Sequence, residues 1–159
     1  MVNDLPAAAT RVQAVAETLG LPVRVTIMPA ATRTADEAAA ACGCAVGQIV
    51  KSLIFKGKES GRAYLLLVSG ANRVNEEAVG VRLGEAIVRP DADFARSTTG
   101  FAIGGIPPFG HATPLVPWLD ADLLQYETVW AAAGTPHAVF AVDPNRLRDA
   151  TRAIIIAVT

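Results

Sequence analysis

Chemistry in this chain has few places to start. Lysine occurs only at Lys51, Lys56 and Lys58, all around one predicted hairpin. Lys56 and Lys58 flank a polar turn and read as solvated. Lys51 lies inside "QIVKSLIF", and strand alternation puts it on one face with Ile49, Leu53 and Phe55, an apolar set expected to point inward. An ammonium on such a face must pair, snorkel or border a cavity, because burying it alone is very costly. Two readings stand: an edge-strand lysine that blocks association, and a cation at a pocket mouth that meets a phosphate or carbonyl oxygen.

The second place is "GFAIGGIPPFGH", residues 100–111. Gly104 and Gly105 free the backbone, and Pro107 and Pro108 then fix it. A flexible linker needs no prolines, so this is a rigid loop whose bare amides can face a ligand. His111 closes it. The third place is "AGTPH", with Gly134 and His137 in a turn between two strands. Neither histidine has an acid at triad spacing.

Nucleophiles are weak. Ser52 and Ser69 lack a nucleophile-elbow context, and Ser69 before Gly70 reads as a strand-end turn. Thr34 is explained by helix capping, Asp120 and Asp122 by the start of a helix or turn, and Trp118 and Trp130 by strand packing. Cys42 and Cys44 sit one residue apart, a poor spacing for a disulfide, and no second pair or nearby histidine completes a zinc site. No metal and no cofactor is expected. A Walker loop is absent, and the glycines near residue 104 miss the dinucleotide fingerprint because prolines stand where its helix should begin.

These residues need elements to hold them. Asp4 and Gly20 bracket a helix with an apolar stripe at Leu5, Ala8, Val12, Val15 and Leu19. "VRVTIM" (23–28) reads as a strand, and Thr34 with Glu37 forms a capping box opening a helix that ends at Gly43. "QIVKSLIF" (48–55) and "AYLLLVSG" (63–70) form a hairpin. Short helices start at Asn75 and Asp91, with a strand "AIV" (86–88) between them. After the glycine-proline loop come strands at 115–119, 128–133, 138–142 and 153–158, with a helix over 144–150. Strands and helices out of strict alternation predict an α+β fold, a mixed, barrel-like sheet with surrounding helices in a single domain, 1–159.

Composition excludes several classes. With 52% hydrophobic and 18% charged residues, disorder is out, and a net charge of −1 leaves no footprint for coating duplex DNA. That charge is compatible with gripping only the end of a nucleic acid. No polybasic block or signal-peptide pattern occurs, and the longest apolar run near the end, "AIIIAV", is too short to cross a bilayer, so a soluble cytoplasmic protein without membrane partners is expected.

In order, "GQIVKSLIF", "LLLVSG", "GFAIGGIPPFGH" and "VWAAAGTPHAVFAV" resemble the YbaK family, the prolyl-tRNA-synthetase-associated editing domains. The resemblance implies a trans-acting aminoacyl-tRNA deacylase whose substrate is the 3′ end of mischarged tRNA, foremost tRNA for proline carrying Cys or Ala. It implies prolyl-tRNA synthetase or another synthetase as partner. The family's lysine falls on Lys51, its Gly-x-x-x-Pro motif on Gly104 and Pro108 with Gly105 between, and its Gly-x-x-His pattern on Gly134 and His137. Lys51, Gly104 and Gly105 are the expected catalytic residues. Ser69, Ile106, Pro107, Pro108, Gly134 and His137 are the expected substrate contacts. A non-catalytic module that binds aminoacyl-adenosine or a synthetase, and a hydrolase of another small ester, are the alternatives.

Overall fold

The computed structural model describes residues 5–159, so the capping role expected of Asp4 lies outside the described residues. The central unit is the expected hairpin. Strand β2 (Ile49–Gly57) pairs antiparallel with β3 (Ala63–Ser69), with Lys51 opposite Val68 and Leu53 opposite Leu66. Leu65, Leu66, Leu67 and Val68 are wholly buried, which is why β3 reads as an unbroken apolar run.

Two cores form, one on each face of this hairpin. Val50, Ile54, Leu65 and Leu67 join Val12 and Ala16 of helix α1 (Ala7–Thr18) together with Phe109 and Phe140. Phe55, Leu66 and Val68 join Val79 of helix α3 (Glu76–Leu83) on the opposite face. Lys51 therefore lies on the second face with Leu53 and Phe55, while Ile49 packs in a third, smaller cluster with Ala38 and Ala39 of the helix that follows Thr34.

Around the hairpin runs an eight-stranded mixed sheet that does not close. Its order is β1 (Thr26–Ile27), β7 (Ala138–Val142), β6 (Val129–Ala132), β2, β3, β5 (Trp118–Asp120) and β8 (Ile154–Ile156). The short β4 (Ile87–Val88) pairs with β2 at its far end. The α+β class holds, and the helices form where local chemistry prescribes them. Helix α2 (Ala35–Cys42) starts in a complete Thr34–Glu37 capping box and stops at Gly43 in the left-handed region. Asn75 and Asp91 cap α3 and α4 (Ala92–Thr99), and α5 (Pro144–Thr151) opens on proline.

Three expected strands are shorter than their apolar patterns. Residues 23–25 leave the sheet because the Gln13 side chain binds Val23 O (3.0 Å) and Val25 N–H (2.8 Å), tying them to α1. Pro117 has no N–H to offer the ladder, so β5 begins at Trp118. The last strand ends at Ile156, and Val158 O instead accepts from Asn75 N at 2.7 Å.

The hairpin turn is held by one carboxylate. Glu85 accepts from Ser60 Oγ and Tyr64 Oη, both at 2.6 Å, from Ser60 N at 2.9 Å and from Glu59 N at 3.2 Å. These bonds, the Ser60 hydroxyl foremost and Tyr64 next, hold the Glu85 carboxyl down at about 2. A depressed carboxyl contributes stability that is complete above its unfolded value and lost as pH falls toward the folded one. Wild-type urea midpoints are therefore expected to drop more steeply than those of Glu85→Gln between about pH 4.5 and 2. Parallel curves would contradict this role.

Candidate functional site

Along one edge of β2 the sheet is interrupted. β6 pairs with Ile49 and Val50, β4 pairs with Lys56 and Gly57, and no described strand pairs with residues 51–55 on that side. On the β3 side, Ile49 O accepts from Gly70 N, and Gly57 N donates to Arg62 O. Alternation then aims the backbone groups of Ser52 and Ile54 at the gap. A cavity of about 340 Å³ occupies this place. Its walls come from β2, from β6 through Trp130 and Ala131, from the segment before α2 through Thr32 and Arg33, and from the loop through Gly104 and Ile106.

Lys51 borders this cavity half-buried, and its Nζ donates to Asn72 O at 2.5 Å. Burial pushes its pKa below the ordinary lysine value, helped by Arg73 and opposed by Asp120. No carboxylate pairs with it among the described residues. The carbonyl it touches is held in place: Asn72 Nδ2 donates to Asp120 Oδ2 (2.9 Å) and to Asp122 Oδ2 (2.7 Å). Asp120, only 1% exposed, also accepts from Ser69 N at 3.0 Å and from Asp122 N at 3.0 Å. Pattern reading gave Asp120 a turn-starting role, which it has, and missed that the same carboxylate positions the lysine's partner.

Of the loop residues, Ile103, Gly104 and Ile106 line the cavity with Lys51. Gly104 has φ +95°, and its N–H makes no hydrogen bond among the described residues. Gly105 N, in contrast, donates to Ala102 O at 3.0 Å, so in this arrangement it is not free for a ligand. Gly105 serves by approach. A Cβ there would lie 2.9 Å from Gly134 C and O and from Thr135 Cα, and Gly134 N donates to Gly105 O at 2.8 Å. The loop and the "AGTPH" turn are thus joined backbone to backbone.

The remaining expected contacts lie off the cavity. Pro107 and Pro108 are buried, and Pro108 faces a separate small cavity beside Val15, Leu19 and His111. Pro107 O is bonded by His111 Nε2 at 2.7 Å, and burial lowers the imidazole's pKa, so a neutral ring braces the loop from behind. Ser69 is buried and donates to Gly47 O at 2.7 Å. His137 is exposed, while its neighbour Pro136 fixes a cavity wall: Pro136 O accepts from Thr32 N (2.6 Å) and Thr32 Oγ1 (2.7 Å).

Ser52, weak as a nucleophile by its sequence context, has a different place in the structure. Ser52 lines the cavity, and its Oγ is shielded from solvent and has no hydrogen-bond partner. It is the only such buried side-chain atom among the described residues. Nothing in the sequence marks it, because a serine in a strand is ordinary until the neighbouring strand is missing. Among the described residues, no His, Cys, Asp or Glu lines this cavity. No group of acids, cysteines and histidines that could hold a metal ion occurs among the described residues.

Residues 29–150 match the family model of an aminoacyl-tRNA editing domain. A solved structure described as that of a proposed trans-editing enzyme for prolyl tRNA synthetase is 48% identical, with a TM-score of 0.92 over 98% of this chain and 99% of the other. The crystal structure of hypothetical protein APE2540 is 30% identical, with a TM-score of 0.86 over 93% of this chain and 98% of that one. The uncharacterized protein YwhH of Bacillus subtilis (strain 168) is 27% identical over 125 residues, 79% of each chain. The matched span contains Lys51, the glycine-proline loop and the "AGTPH" turn.

Proposed function

This chain belongs to the aminoacyl-tRNA editing domain family, and from that premise we propose that it is a deacylase acting in trans on mischarged tRNA, within the YbaK-like group and in the cytoplasm. The substrate we assign is tRNA for proline carrying a small non-cognate amino acid such as Cys or Ala. The observation that carries this reading is the juxtaposition of Lys51, a free Gly104 amide and an unpartnered Ser52 hydroxyl around one cavity of about 340 Å³.

Water cleaves the ester: its oxygen attacks the carbonyl carbon, the tetrahedral oxyanion collapses, and the terminal ribose oxygen leaves with a proton. An activated ester needs a positioned water and a polarised carbonyl more than a protein nucleophile. The described residues of the walls supply no carboxylate or imidazole base, so a hydroxyl of the substrate's own ribose takes that part. Lys51 anchors the terminal nucleotide, and the Gly104 N–H faces the developing oxyanion. Ile106, Ala131 and Val139 bound the side-chain space and limit its size. Such a wall discriminates by about 1–3 kcal/mol per methylene.

Ser52 contacts the aminoacyl group in this reading. Ser52→Ala is expected to lower kcat/KM about tenfold, the worth of one hydrogen bond. The melting temperature should stay level or rise, because no internal bond is lost. Unchanged kcat/KM would remove Ser52 from the site.

The test of the function is a panel of tRNAs charged with Ala, Cys, Ser, Thr and Pro, with release of amino acid followed against time. Release of a small non-cognate residue with Pro spared supports the proposal. Tight binding of an aminoacyl-adenosine analogue without turnover on any of them would make the protein a binding module instead.

A further inference from the structure

Lys51 is shared between two cavities. The second, of about 440 Å³, lies along the 70–74 segment and the end of β4. Arg73, Arg89 and Lys51 are its charged lining residues, and no acidic side chain joins them among the described residues. In a chain of net charge −1, this concentration of cations is out of proportion to the whole.

These charges are poorly compensated. Arg73 forms no ion pair among the described residues. Arg89 pairs with Glu76 at 3.0 Å, with side chains 67% and 36% exposed, a geometry that contributes little. Lys51 has only the neutral Asn72 carbonyl. The carboxylates of Asp120 and Asp122 are committed to the Asn72 amide. Arg73 and Arg89 both reach Lys51 electrostatically, each disfavouring its charge, so the three form one positive field.

The backbone that carries Arg73 is preset. Gly70 N donates to Ile49 O at 2.7 Å, Asn72 N to Ser69 O at 2.9 Å, and Val74 is buried on the other side. A concave, anchored, cationic wall continuous with Lys51 suits a chain of phosphates entering the first cavity. It does not suit a broad duplex face, for which this single patch is too small.

We propose that the cavity between Arg73 and Arg89 binds the internucleotide phosphates preceding the terminal adenosine of a single-stranded RNA 3′ end. This rests on the deacylase reading of the Lys51 cavity, and it supplies the grip on the acceptor end that the overall charge does not reveal.

The experiment has two arms. A fluorescein-labelled single-stranded RNA ending in CCA, uncharged, is titrated by anisotropy against wild type, Arg73→Ala, Arg89→Ala and the double variant over a KCl series. Each phosphate held gives a slope of about −0.7 in log K against log salt. The double variant should weaken binding about tenfold or more and lose close to two such steps in slope. In the second arm, the double variant should raise KM for a mischarged tRNA about tenfold and leave hydrolysis of aminoacyl-adenosine, which has no internucleotide phosphate, unchanged.

Equal losses on both substrates, or RNA binding and slope identical to wild type, would overturn the proposal. Competition by inorganic phosphate as strong as by the RNA would overturn it in favour of a free-phosphate site. If the wild type hydrolyses neither ester, the deacylase reading fails, and the binding arm still decides this one. Both arginines are exposed, so melting temperatures should match wild type and confirm folding.

Discussion

Lys51→Ala is expected to reduce kcat/KM on mischarged tRNA by about 10²–10³, a loss of about 3–4 kcal/mol of transition-state stabilisation. The fold should survive. The lysine is half-buried with no carboxylate partner, and its one hydrogen bond goes to a carbonyl at the cavity edge, which water can reach once the side chain is gone. Removing a half-buried charge also relieves desolvation, so melting temperatures within a few degrees of wild type are expected. Lys51→Arg should rescue poorly, because a planar fork cannot occupy the place of a compact ammonium held against Asn72 O. Lys51→Met keeps the apolar stem and separates lost packing from lost charge. More than half of wild-type activity in Lys51→Ala would refute the assignment of this cavity.

Gly105→Ala should be damaging far beyond the size of a single methyl group. Its Cβ would stand 2.9 Å from three backbone atoms of Gly134 and Thr135, which cannot swing aside like a side chain. One of the two joined segments must move. Overpacking of this kind costs about 1–3 kcal/mol of stability. The effect on catalysis should be larger than that figure suggests. Gly104 and Ile106, two of the loop's contributions to the cavity, are the immediate neighbours of Gly105. A displacement near 1 Å in a positioning segment costs about 10²-fold in rate. Kinetics and thermal melts on the same sample decide the matter. The expectation is a protein folded at assay temperature yet nearly inactive, and wild-type kcat/KM would show that the loop tolerates displacement.

How much of this could be read from residues depended on range. The hairpin, the Thr34–Glu37 capping box and the helix starts at Asn75 and Asp91 are decided within a few residues, and they stand as expected. Lys51 could be placed on its face by alternation alone. What alternation could not reveal is that both faces of β2 are covered, or that β6 and β4 stop short of one another. Ser52 was invisible for that reason.

The glycine-proline loop shows the same limit from the other side. Its rigidity was legible, but the division of labour within it was not. Gly104 and Ile106 face the Lys51 cavity while Pro108 turns to the α1 side, and Gly105 is spent on contact with Gly134. Those roles depend on a turn some thirty residues later, beyond the reach of any local rule. Asn72 and Asp120 likewise meet across 48 residues.

The interrupted edge of β2 has a bearing on how this architecture can diversify. The pocket stands where a continuous neighbouring strand would be, and the end of β6 bounds it. Adding or removing a residue at the end of β6 would resize it while Leu65, Leu66 and Leu67 stay packed as they are. Selectivity and foldability are therefore inherited from different parts of the chain. A lineage built on this sheet can reshape its pocket by editing the end of β6, without renegotiating its core.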